Sequence, residues 1–61
     1  MMGLDEVVEA FESGVAVFVR GGGYVDQYDD VDDIRDDYEE IGFYSVVEED
    51  GEILVTLFDC D

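Results

Sequence analysis

The sequence predicts an α+β fold, a small antiparallel sheet of three to four strands with two amphipathic helices, in the order α-β-β-α-β-β. Three observations carry this. Apolar residues recur at helical spacing in two separate segments. A β-branched run or a period of two fills the stretches between them, and glycines stand where one pattern gives way to the next.

The first helix is written in Leu4, Val7, Val8 and Phe11, spaced i, i+3, i+4, i+7, with Asp5, Glu6, Glu9 and Glu12 on the other side. Asp5 and Glu6 suit the positive end of its dipole, and Gly14 offers a left-handed cap. Val15 to Val19 follows, too short for a helix and rich in β-branched residues, and reads as the most buried strand. Gly21, Gly22 and Gly23 break the chain. Tyr24, Asp26 and Tyr28 then alternate with Val25 and Gln27, which fits a second strand returning beside the first, the alternative being a long loop leading to the next helix.

The second helix spans about Asp30 to Ile41, with Val31, Ile34, Tyr38 and Ile41 as its apolar stripe. Asp29 or Asp30 caps its start, and Gly42 its end. Phe43 to Glu48 and Glu52 to Phe58 are strands around Asp50-Gly51, the strongest short hairpin signal there is. A two-residue loop at Asp50-Gly51 pairs Glu49 with Glu52, Val47 with Leu54 and Val46 with Val55. One face then carries Tyr44, Val46, Ile53, Val55 and Leu57, and the other Phe43, Val47, Leu54 and Phe58. Two helices of this length cover one face of such a sheet but hardly both. Phe43, Val47, Leu54 and Phe58 are therefore the expected dimer or partner face, unless the helices divide between the faces.

The chain of 61 residues reads as a single domain, 1–61. Nineteen Asp and Glu face only Arg20 and Arg35, for a formal net charge of −17, yet 48% of the residues are apolar. That apolar share separates it from acidic disordered segments, which combine charge with low hydrophobicity. On a sphere of about 13 Å radius, this charge repels itself by roughly 20 kcal/mol at about 0.1 M salt and by about half that at 1 M. The unfolded chain shares part of the penalty, but so small a domain offers only about 5 kcal/mol of stability. Molar salt relieves the conflict. Absent lysine, abundant Asp, and many Val and Gly together resemble the amino-acid usage of extreme halophiles that keep molar salt in the cytoplasm.

The acid has a second reading, in which spaced carboxylates imitate nucleic-acid phosphates and occupy the groove of a basic protein. Salt adaptation scatters acid over every face, whereas a mimic arrays it on one. Direct binding to nucleic acid or anionic lipid is disfavoured by like charge. The N-terminal stretch has no basic residue to suggest a secretory signal, and no apolar run approaches the roughly 20 residues of a membrane span. A cytoplasmic location is expected.

Sites of chemistry are sparse. Gly21 to Gly23 follows a strand, but Asp26 stands where the third glycine of a dinucleotide loop belongs, and no lysine exists for a phosphate-binding loop. Asp29, Asp30, Asp32, Asp33, Asp36 and Asp37 form an acidic run, yet an EF-hand begun at Asp26 fails at Tyr28 and Val31. Histidine is absent, and Cys60 is the single cysteine, so no disulfide closes within the chain. Ser13, Ser45, Thr56 and Cys60 sit in no nucleophile motif. The expectation is a non-enzymatic interaction or accessory protein without metal or cofactor, a salt-adapted homodimer. The alternatives are a DNA-mimic inhibitor of a basic nucleic-acid-binding protein and a weak binder of a small ligand or divalent cation.

Overall fold

The computed structural model describes residues 3–58, so Cys60 lies outside the described residues. Helix α1 (Leu4–Glu12) opens at Gly3, whose N–H donates to the Glu6 carboxylate at 2.8 Å, and turns away at Gly14 with φ +96°. Strand β1 (Ala16–Gly21) and strand β2 (Tyr24–Gln27) form an antiparallel hairpin closed by Gly22-Gly23. The Tyr24 ring lies across Gly21, so a side chain at 21 would make this half-exposed ring turn aside.

Helix α2 (Val31–Glu40) is capped by Asp30, whose carboxylate accepts from the Asp32 N–H at 3.1 Å. Strand β3 (Ser45–Glu49) and strand β4 (Glu52–Thr56) form the second hairpin, with φ +54° at Asp50 and +78° at Gly51. Two adjacent left-handed residues make the turn whose twist suits flanking strands. Its register matches the sequence expectation: Glu49 faces Glu52, Val47 faces Leu54 and Val46 faces Val55.

The four strands lie in the order β2-β1-β4-β3, and the sheet is mixed rather than antiparallel throughout. Its two central strands, β1 and β4, run parallel, with Val17 opposite Ile53 and Val19 opposite Val55. Connectivity is the reason. The chain leaves the β1–β2 hairpin, crosses through α2, and sets β3 at the outer edge before β4 returns beside β1. A parallel pair needs a crossover of this kind, usually helical.

Both helices pack on one face. Val7, Val8 and Ile34 from the helices meet Val17, Val19, Val46, Ile53, Val55 and Leu57 from the sheet side, and all are buried. Strand β1 is therefore one-sided: Val17 and Val19 are buried while Ala16, Phe18 and Arg20 are only partly covered. The α2 stripe is used only in part, since Ile34 is fully buried but Tyr38 and Ile41 are exposed.

Candidate functional site

Strand pairing lays out the uncovered face of the sheet as three rows. One end row runs Val25, Arg20, Thr56, Ser45, of which Thr56 is buried and Arg20 and Ser45 are partly covered. The middle row runs Gln27, Phe18, Leu54, Val47, and the other end row runs Ala16, Glu52, Glu49. The face is apolar at its centre and charged at its ends. Phe18, Val25, Val47 and Leu54 line a shallow depression of about 280 Å³ that Glu49 and Glu52 border. Val25 is 64% exposed and Val47 50% exposed, high values for β-branched residues in a four-stranded sheet.

The four residues expected on this face separate in the structure. Val47 and Leu54 are cross-strand partners on it. Phe58 follows β4 and is 43% exposed. Phe43 instead packs against the buried core, its ring 5.1 Å from that of Tyr38 in an edge-on arrangement. Tyr44, expected to point at the helices, is exposed. Phe18, Val25 and Arg20 join the face without having been expected there. The signal for Phe18 and Arg20 was their odd spacing from Val17 and Val19, which an unbroken apolar run conceals.

The acidic residues sit elsewhere. Among the described strand residues that point this way, only Glu49 and Glu52 are acidic. Asp5, Glu6, Glu9 and Glu12 belong to α1, and Asp32, Asp33, Asp36, Asp37, Glu39 and Glu40 to α2. A polar cleft of about 420 Å³ opens between β2 and α2, with Asp26, Asp29, Asp33, Asp36, Asp37 and Glu40 around Tyr24 and Tyr28. Among the described residues, no three acidic or cysteine side chains are placed to hold a metal ion.

Tyr28 closes the floor of this cleft. Its N–H donates to the Val17 carbonyl at 2.9 Å, and its hydroxyl donates to the Asp37 carboxylate at 2.7 Å, tying the end of β2 to α2. Burial pushes its pKa far above the ordinary tyrosine value, and the hydrogen bond to Asp37 and the negative charge of that carboxylate act in the same direction. So high a pKa makes Tyr28 a fixed donor.

The glycine triplet forms the β1–β2 turn, with Gly21 paired to Tyr24 and Gly23 at φ +88°. No helix N-terminus meets it to receive a phosphate, because β2 follows directly. No helix among the described residues is long and apolar enough to cross a membrane. Comparison with known families, curated sequences and solved structures finds no match to the chain.

Proposed function

We propose that this is a small, salt-adapted, non-enzymatic interaction protein whose working surface is the open face of the sheet, through which two copies associate. The observation that carries the reading is the exposed Val25 and Val47 flanking Phe18 and Leu54 on a face that neither helix covers. Apolar area left open on one side, with charge thinned from its centre, is the composition of an interface core. In the cytoplasm of a cell with molar salt, screening removes most of the repulsion between two chains of charge −17.

The size of the face sets the strength. Four strands about 4.8 Å apart and five residues long at about 3.3 Å each give roughly 300 Å² of flat area per copy. That is below the roughly 800 Å² per partner of a standard complex. Burying about 400 Å² of apolar surface contributes roughly 10 kcal/mol before association costs of similar size. The assembly is a weak dimer, populated at high concentration and high salt. Methyl NMR spectra recorded across a dilution series in about 2 M KCl test this. Concentration-dependent shifts should gather on Val25, Val47 and Leu54, while shifts confined to the helix side would refute the reading.

A second reading is favoured by the charge distribution. Carboxylates crowd the two helices and the cleft between β2 and α2, as an acidic decoy for a basic nucleic-acid-binding protein requires. It uses the opposite side of the molecule. Competition against DNA for a basic groove, measured by fluorescence anisotropy at about 0.15 M salt, separates the two readings. A decoy releases the DNA and a salt-adapted module does not.

A further inference from the structure

The pattern of charge at the two ends of the open face points to how the second copy docks. Arg20 lies in one end row, and Glu49 and Glu52 lie in the other, four residues away along the strands, or about 13 Å. Glu49 and Glu52 are themselves direct cross-strand partners, a juxtaposition of like charges that costs stability. Two sheets packed with their strands aligned can meet face to face about a two-fold axis lying either along the strands or across them. An axis along the strands gathers four carboxylates at one end and two guanidinium groups at the other. An axis across the strands brings each Arg20 to the end where the other copy places Glu49 and Glu52.

We propose that the dimer is face to face with its strands running in opposite directions, the Arg20 end of each copy over the Glu49–Glu52 end of the other. The proposal rests on the open face being the association surface, and it holds whatever contacts Arg20 makes within its own chain, because the same arrangement also keeps the two carboxylate pairs apart. Side chains near the axis then meet their own counterparts. Val47 of one copy lies by Val47 of the second, whereas the alternative axis places it over Gln27.

Charge reversal gives a sign test, read as the dimer dissociation constant in about 1 M KCl with folding checked by circular dichroism. Glu49→Arg with Glu52→Arg makes each chain less negative, so a general charge effect would tighten the dimer. The proposed docking instead puts these arginines over Arg20 and weakens it about tenfold. Adding Arg20→Glu makes the chain more negative again, yet should restore affinity to within about threefold of wild type. A double variant that dimerises as well as wild type, or a third change that weakens it further, would overturn the proposal.

Isotope-filtered NOE spectra of wild-type protein, mixed from labelled and unlabelled copies, need no variant. Contacts between Val47 methyls of the two copies are expected, and contacts from Val47 to Gln27 in their place would overturn the orientation. A wild-type chain that never dimerises removes the association itself, a failure distinct from a dimer with the wrong axis.

Discussion

The two faces of the sheet are built from the same four strands, and valines stand on both, but those valines have different fates. On the helix side, Val17, Ile53 and Val55 have no exposed surface at all. On the other, Val47 and Val25 stay half or more exposed, although each is only one residue from a helix-facing position. Being a valine therefore does not decide burial here. Two helices of 9 and 10 residues can cover one layer, and both chose the same one. The acid follows the helices, so the covered side of the sheet lies under a carboxylate coat while the open side keeps apolar side chains in view.

The largest expected effect comes from truncating neighbouring residues that point opposite ways. Ile53→Ala, beneath the helices, should cost about 3–4 kcal/mol of stability, enough to unfold most of so small a domain. Leu54→Ala, one residue on, should cost the monomer no more than about 1 kcal/mol, because less contact is lost. Equal losses in chemical denaturation would mean that the open face is packed in a way the exposures do not indicate.

Salt should act mainly through the helix side, where the carboxylates crowd. The melting temperature followed by circular dichroism should rise by more than about 10 °C between about 0.1 M and 2 M KCl, as screening removes a few kcal/mol of repulsion. A melt insensitive to salt would remove the main argument for halophilic adaptation. Mg²⁺ should bind that side weakly and without a defined stoichiometry. A one-to-one isotherm abolished by Asp33→Asn with Asp37→Asn would sink this.

A smaller effect tests the tie between β2 and α2. Tyr28→Phe removes the hydroxyl that donates to Asp37 and should cost about 1 kcal/mol at neutral pH. The pH dependence has a definite sign. The folded pKa of Tyr28 is raised, so the folded chain holds this proton more tightly than the unfolded chain, whose tyrosines titrate near pH ~10. Its contribution is complete below about pH 10 and is lost as pH rises beyond it. Wild type should lose stability between about pH 10 and 11.5 more steeply than Tyr28→Phe. Parallel alkaline curves would show that the hydrogen bond is not maintained.

Local features of this fold were legible in the sequence, and the long-range ones were not. Asp50-Gly51 fixed the β3–β4 register because only a few turn geometries permit two left-handed residues in succession. The helices were visible through their spacing and caps, down to Asp30 and Gly42. The parallel pairing of β1 with β4 left no local trace, since it depends on a crossover and not on a turn. Without that pairing, the run Val15 to Val19 had no sidedness, and Phe18 and Arg20 could not be placed. Phe43 was misplaced for a related reason: β3 begins only at Ser45, so the alternation of the strand does not extend back to residues that still follow the left-handed Gly42. The open face was thus half visible, through Val47 and Leu54.

The central claim is that this face is where the molecule does its work, and mass in solution tests it most directly. Sedimentation equilibrium in about 2 M KCl, from micromolar to hundreds of micromolar protein, should show the mass rising from 6.9 kDa toward twice that value. The rise should disappear in Leu54→Asp, with the circular dichroism of the chain unchanged. A mass that stays at 6.9 kDa across the whole range would contradict the account. So would a dimer that Leu54→Asp leaves intact, because it would be held together by some other surface.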